Sequence, residues 1–319
     1  MPVCLSSDRN YLKPLASTMA SILSNKLETD SIRFYILENT FTESDRQLLE
    51  QLKTIADFEI EYVNVKDKIL QYVSITEKDH VSIETYFRLF IPELIPNEDK
   101  IIYLDCDIIV ESSLSGLYAM EPGDSYILGV RDLDARRNIK RLGSRRYINA
   151  GVLLMNSKKM RDDHIIDQFV DCIINDREKL EMHDQDVIAI VLGEHLQYIP
   201  SSWNGQIARM PVKEEFSRLN EANILHYVGH RKPWLPNKRA KFRKNYFRYQ
   251  RMTPFASTEQ KYHIHRFFWH LSKLPSNILK LLYSKTNSRQ GTYRYVRILG
   301  FIRYKKKRKS PLHHLNEKW

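Results

Sequence analysis

Ile101-Ile102-Tyr103-Leu104-Asp105-Cys106-Asp107-Ile108-Ile109-Val110 sets two carboxylates, two residues apart, between two apolar runs. An unbroken apolar run followed by polar residues reads as a strand buried on both faces. Such strands belong to parallel or mixed sheets covered by helices, and ligands of open α/β sheets gather beyond the carboxyl ends of the strands. Side chains at i and i+2 of an extended segment share a face, so Asp105 and Asp107 can grip one hard divalent cation through oxygen. The alternative is a surface turn with two solvated aspartates. Against it, a carboxylate placed between hydrophobic runs is costly unless something compensates it.

Upstream, strand-like and helix-like stretches alternate. Residues 3–6, 32–37 and 58–65 read as strands. Residues 14–27 carry Leu15, Met19, Ile22 and Leu23 at helical spacing, and Thr42-Glu43-Ser44-Asp45 is a start signal for a helix running to about 55. A third helix is expected over 82–95. This βαβαβ order predicts an α/β fold with a mixed, mainly parallel central sheet and helices on both faces. Downstream, strands are expected at 126–131, 149–155 and 196–199, and helices at 160–175 and 184–192. Residues 132–146 hold Arg136, Arg137, Lys140, Arg141, Arg145 and Arg146 with little apolar periodicity, which reads as a mobile basic loop or lid.

The chain has 319 residues, of which 42% are hydrophobic and 28% charged; this excludes wholesale disorder and a disulfide-stapled miniprotein. Cys4, Cys106 and Cys172 form no CxxC pair, which excludes a zinc ribbon or disulfide framework and points to a reducing compartment. The net charge of +11 is unevenly spread: from Arg231 onward there are 24 Lys or Arg against 2 Asp or Glu, while the first 230 residues hold 26 basic and 37 acidic ones. An acidic body with a basic tail implies two physical jobs. No apolar run reaches the roughly 18 residues of a membrane span, and the first residues lack the basic and apolar regions of a signal peptide. A cytoplasmic protein, soluble or peripheral on the inner face of the membrane, is therefore expected.

The tail interleaves Phe242, Tyr246, Phe247, Tyr249, Phe267, Phe268 and Trp269 with Lys and Arg and ends in a polybasic run at 305–309. It reads as a separate, mainly helical region over 236–319, beside a catalytic domain over 1–235. The pattern suits contact with an anionic membrane surface; the alternatives are a small subdomain with a solvated basic face, or nucleic-acid binding. No nucleic-acid fold signature is present and the body is acidic, so no nucleic-acid partner is expected.

Three further constellations carry chemistry. His226-Tyr227-Val228-Gly229-His230-Arg231-Lys232-Pro233-Trp234 offers an imidazole ligand, a glycine for close backbone approach and a lysine counter-charge, a set suited to a metal-bound diphosphate. Read alone, it is more often a core histidine followed by a basic turn. His183-Asp184-Gln185-Asp186 sits at a helix start, where Asp184 suits an N-cap. Asn149-Ala150-Gly151 puts small residues into a strand otherwise packed with bulk, a mark of close backbone approach or of a bulge. A metal-dependent nucleotidyl- or phosphotransferase would use the same aspartate pair.

Taken in order from about residue 3 to 235, these segments resemble glycosyltransferase family 8, whose familiar members are bacterial lipopolysaccharide and lipooligosaccharide glucosyl- and galactosyltransferases. The resemblance also covers Ser6-Ser7-Asp8-Arg9-Asn10-Tyr11 and His80-Val81-Ser82-Ile83-Glu84-Thr85-Tyr86-Phe87-Arg88-Leu89. It implies a GT-A type nucleotide-sugar fold, a retaining reaction and dependence on manganese, with magnesium as the alternative. Asp105, Asp107 and His226 would be the metal ligands, and Cys106, between the two aspartates, would be among the residues that bind the nucleotide sugar. Ser7, Asp8, Asn10 and Tyr11 would hold uridine, Tyr11 stacking on the base, and Gly229 and Lys232 would meet the diphosphate. His80, Arg88, Asn149, Ala150, Gly151, Asp184 and Gln185 would line the donor site, together with Asp132 or Asp134, between which spacing does not decide. Gln185 and Asp184 would be the catalytic pair. Val228 stands where members carry a small residue or cysteine. The implied donor is UDP-glucose or UDP-galactose, and the acceptor a glycan or glycolipid such as lipopolysaccharide core.

Overall fold

The computed structural model describes residues 1–65, 83–207, 218–235 and 240–256, isolated positions between 260 and 269, and three strands between 283 and 307. His80 lies outside the described residues. The chain divides into two compact units, Met1–Glu259 and Gln260–Trp319.

The first unit is built on seven strands: β1 (Pro2–Ser6), β2 (Arg33–Glu38), β3 (Glu59–Asn64), β4 (Ile101–Leu104), β6 (Ile127–Arg131), β7 (Ile148–Met155) and β8 (Leu196–Tyr198), ordered β3-β2-β1-β4-β7-β6-β8. β5 (Ile108–Val110) instead pairs with β10 (Ile224–His226), which pairs with the short β9 (Gly205–Gln206). In the large sheet, β1 pairs in parallel with β2 and β4, β2 with β3, and β6 with β8; only β7 runs antiparallel, to β4 and β6. The sheet is thus mixed and mainly parallel. Strands β4 and β7 are buried along their whole length, as their unbroken apolar runs require.

Six helices matter here: α1 (Leu12–Asn25), α2 (Glu43–Glu50), α3 (Ala135–Leu142), α4 (Ile165–Asn175), α5 (Asp184–Leu192) and α6 (Arg243–Gln250). Leu15, Met19, Ile22 and Leu23 of α1 are all buried. Thr42 and Asp45 form a reciprocal capping box at the start of α2. Chain order runs outward from β1 through β2 to β3 and then returns to place β4 on the other side of β1. That reversal opens a crevice between the carboxyl ends of β1 and β4, where Leu5 is registered with Leu104.

Three differences from the sequence expectations have physical causes. The basic segment 132–146 is not a free loop: residues 135–142 are helical, ending at Gly143 in the left-handed conformation (φ +68°). Its inward positions are Ala135, Asn138, Ile139 and Leu142; a polar asparagine among them and arginines on both flanks hide the apolar period. Asp184 does not cap its helix but is its first residue, the cap position being His183, whose side chain makes no capping bond. The C-terminal region is helical at α6, but β11 (Tyr283–Asn287), β12 (Tyr293–Ile298) and β13 (Ile302–Lys307) pair antiparallel in that order. Alternating Tyr, Val and Ile favours strand there. The first unit runs on past residue 235 to Glu259 and so includes α6. Among the described residues no helix is long and apolar enough to cross a membrane.

Candidate active site

The two aspartates follow β4 in a tight turn that leads into β5. The turn is held from several sides. The Asp105 amide donates to the Gly151 carbonyl (2.9 Å) and the Tyr227 amide to the Asp107 carbonyl (3.0 Å). The Thr18 hydroxyl, on α1, lies 2.9 and 2.8 Å from the carbonyls of Cys106 and Ile108. The Cys106 thiol is buried and donates to the Ser6 carbonyl at 3.0 Å, so it faces β1 rather than the crevice. Cys106 therefore fixes the turn between the two carboxylates.

Antiparallel pairing of β5 with β10 sets His226 opposite Ile108. This brings the imidazole to the aspartates from more than a hundred residues away: His226 Nε2 is 3.6 Å from Asp105 Oδ2 and 3.3 Å from Asp107 Oδ1. One ligand atom from each of Asp105, Asp107 and His226 lies within 4.8 Å of the others. Asn204 Oδ1 is 3.0 Å from His226 Nδ1, and Asn204 Nδ2 donates to Asn149 Oδ1 at 2.9 Å. With Asn204 Nδ2 used as a donor, its oxygen must accept, so His226 donates through Nδ1 and Nε2 is the nitrogen turned toward the aspartates. Tyr103 donates its hydroxyl to Asp105 Oδ1 (2.8 Å).

Two carboxylates and one imidazole form a donor set suited to manganese or a similar divalent ion. The space around them agrees. A Cβ on Gly151 would stand 2.2 Å from His226 Cε1 and 2.9 Å from Asp105 Oδ2, so only glycine leaves the cradle open. Burial alone would push the Asp107 carboxyl up; the His226 imidazole and the Lys232 ammonium outweigh it and hold the group below the usual carboxylate range. Lys232 Nζ contacts Asp107 Oδ2 and donates to the Tyr227 carbonyl at 2.8 Å. Gly229 takes φ +73° with open space around it, so glycine is required there by backbone conformation.

A second polar cluster adjoins the first through Arg88, in the 3-10 turn Ile83–Phe90. Its guanidinium reaches Asp105 Oδ1 (3.0 Å), Asp184 Oδ2 (2.9 Å) and the Ala150 carbonyl (2.7 Å), and lies 4.6 Å above the Tyr103 ring. Burial disfavours the cation, but Asp105 and Asp184 outweigh it, so Arg88 stays charged. Burial pushes the Asp184 carboxyl up to about 6 although Arg88 opposes the rise. Gln185 Oε1 accepts from Asn149 Nδ2 (3.1 Å) and the Ala150 amide (3.0 Å). Asn149 Nδ2 also donates to Asp132 Oδ2 (3.1 Å), while Asp134 is exposed at the cap position of α3. Of the two candidates at this point, Asp132 is the one beside Asn149.

At the end of β1, Asp8 accepts from the Tyr11 amide (3.0 Å) and from Asn10 Nδ2 (2.8 Å), fixing a 3-10 turn, and buried Ser7 donates its hydroxyl to the Asp8 carbonyl. Tyr11 is left 39% exposed. Sequence reasoning missed Asn204 and Tyr103. Asn204 lies in Trp203-Asn204-Gly205, which carries no local pattern; only the β9–β10 pairing sets it behind the histidine.

The family model described as Glycosyl transferase family 8 matches residues 2–238. The chain belongs to glycosyl transferase family 8. It is a glycosyltransferase with a GT-A type fold and an Asp-Asp-His metal-binding triad. It is 25% identical over 270 residues to General stress protein A of Bacillus subtilis, covering 79% of this chain and 94% of that protein. It is 27% identical over 248 residues to lipopolysaccharide 1,2-glucosyltransferase of Escherichia coli, covering 71% of each. Against longer relatives the overlap is partial: it spans 56% of glycosyltransferase GlyF of Streptococcus pneumoniae, at 26% identity over 73% of this chain. Among solved structures it resembles galactosyltransferase LgtC, crystallised with donor and acceptor sugar analogues, at a TM-score of 0.67 and 26% identity over 80% of this chain and 96% of that one.

Proposed function

We propose that this protein transfers glucose or galactose from a uridine diphosphate sugar to a hydroxyl of a cell-surface glycan or glycolipid, with retention of anomeric configuration. The observation that carries the proposal is the convergence of Asp105, Asp107 and His226 at the switch point of the sheet, within 4.8 Å of one another. The name of the Escherichia coli relative supports a glycan acceptor of the lipopolysaccharide type, and the acceptor sugar analogue crystallised with LgtC supports a sugar acceptor.

Asp105, Asp107 and His226 would hold a divalent cation, manganese or alternatively magnesium, which when bound would supply Lewis-acid stabilisation to a departing diphosphate. Lys232, on the same segment as His226, gives a positive contact for the phosphates, and Gly229 leaves its backbone free to approach them. Tyr11 presents an aromatic ring to the base, with Asp8, Asn10 and Ser7 shaping the turn beneath it. Arg88, Asp132, Asn149 and Asp184 offer polar groups to sugar hydroxyls.

Retention requires either two displacements or attack from the face of departure. Gln185 is an amide and a poor nucleophile. Asp184 is ion-paired with Arg88, and Asp186 is buried and bonded to Arg141 and Tyr147. Front-face attack through an oxocarbenium-like state therefore fits best, with Gln185 stabilising positive charge.

Donor hydrolysis across a panel of nucleotide sugars, with and without manganese, tests the reading. Release of uridine diphosphate and a hexose of retained configuration is the expected product set. Release of pyrophosphate would point instead to nucleotidyl transfer, and an adduct trapped on Asp184 or Asp186 would overturn the front-face route. The basic tail supports a second element, attachment to an anionic membrane surface. Flotation with anionic liposomes should carry the full chain but not one ended after Glu259; equal binding by both would refute the tail's role.

A further inference from the structure

We infer that Trp234 is a positioning residue for the nucleobase, holding the Tyr11 ring ready to stack; the inference rests on the reading of Tyr11 as the base-stacking residue. Asp8 fixes the backbone of Tyr11 but not its ring. The ring is 39% exposed, and an exposed side chain loses rotamer freedom when it binds. Among the described residues, the aromatic ring that meets it is Trp234, edge to face, with centroids 5.9 Å apart and an interplanar angle of 89°. That geometry steadies Tyr11 while leaving it a face free for a base.

Trp234 is itself supported. It lies on Tyr246 of α6, with centroids 5.1 Å apart. Tyr246 is buried against Tyr227 (6.4 Å) and Phe247 (5.4 Å), and its hydroxyl accepts from Gln250 Nε2 at 3.0 Å. Arg243 Nε donates to the Pro233 carbonyl (2.8 Å), tying the tryptophan's own segment to α6. α6 is held to α1 by the bond from Asn25 Nδ2 to the Tyr249 hydroxyl (2.9 Å), and α1 begins at Leu12, directly after Tyr11. The column Tyr11–Trp234–Tyr246 therefore closes back on the helix that Tyr11 introduces. Because Lys232 and His226 lie on the segment that ends at Trp234, one stretch of chain fixes both the base end and the diphosphate end of a nucleotide.

Calorimetric titration of the full-length protein with UDP and, separately, with inorganic pyrophosphate, both with manganese, tests this. Base–aromatic stacking sets the scale: Tyr11→Ala should weaken UDP about tenfold or more and leave pyrophosphate within about twofold. Trp234→Leu should show the same selectivity, about five- to tenfold on UDP alone, and Trp234→Phe, which keeps a ring, should recover most of the loss. Wild-type UDP affinity in Trp234→Leu would overturn the inference; so would parallel loss of UDP and pyrophosphate in both variants, the mark of a general scaffold. Should Tyr11→Ala bind UDP normally, the stacking reading itself falls, whatever Trp234 does.

Discussion

Asp105-Cys106-Asp107 and Asp184-Gln185-Asp186 have the same spacing of carboxylates and opposite fates. In the turn after β4 both aspartates face one imidazole, at 3.6 and 3.3 Å. On the first turn of α5, each residue rotates the next by about 100°, so residues two apart point to nearly opposite sides. Asp184 turns to Arg88 beside the site, whereas Asp186 turns into the core. There it has no exposed surface and accepts from Arg141 Nη2 (2.7 and 2.8 Å), the Tyr147 hydroxyl (2.6 Å) and the Met182 amide (2.8 Å). The comparison shows that one pattern gathers both carboxylates at one imidazole or splits them between site and core according to the backbone beneath it. It also explains the basic segment before β7: Arg141 is a structural counter-ion that pins α3 to α5.

The sharpest way to break this contrast is to remove one member of each pair. Asp107→Ala should lower turnover about a thousandfold, because a lost metal ligand forfeits several kcal/mol of leaving-group stabilisation. Near-normal activity in excess chelator would show that the first pair holds no catalytic ion. Asp186→Ala should act on stability instead. Leaving Arg141 without its partner should cost about 3–5 kcal/mol in urea unfolding, while the folded fraction keeps its manganese affinity. An Asp186 variant as stable as the parent but inactive would move Asp186 into the chemistry.

A pH series sharpens the contrast within the second pair. The folded pKa of Asp184, about 6, lies above its unfolded value near 3.8. The folded state therefore binds the proton more tightly, so this contribution to stability is fully present below pH 3.8 and is lost as pH rises through 6. Asp184→Asn should flatten that slope, by at most about 3 kcal/mol between pH 4 and 6. An unchanged slope in urea unfolding of the metal-free protein would place the titration elsewhere. The smallest effect is expected behind the first pair. Asn204→Ala frees His226 Nδ1 and should weaken manganese binding about ten- to hundredfold, measured by electron paramagnetic resonance; unchanged affinity would mean that Asn204 does not orient the ring.

Much of the fold was legible because its central strands are largely apolar runs. Buried β4 and β7 leave little choice of period, and α1 shows Leu15, Met19, Ile22 and Leu23 at clean helical spacing. Where the signal was mixed, the reading went astray. α3 hides its period because Asn138 is an inward position and arginines flank it, and the basic tail reads as helix by composition although Tyr293–Ile298 pairs with strands on both sides. In the site, Gly151 was legible as a close approach, but the group that approaches, His226, came only with the pairing of β5 and β10.

Local pattern was enough to reveal the alternation of elements, the aspartate pair at a strand end, and the residue types able to bind a cation and a diphosphate, because period and local chemistry act over a few neighbouring residues. Which groups meet was settled by packing: Asp132 rather than Asp134 with Asn149, Asp186 with Arg141, and Tyr11 with Trp234, while the meeting of His226 with the aspartates, implied by the family resemblance, is brought about by the β5–β10 pairing. Those meetings depend on sheet order and helix rotation, which are set by burying apolar faces across the whole unit, so no local stretch encodes them.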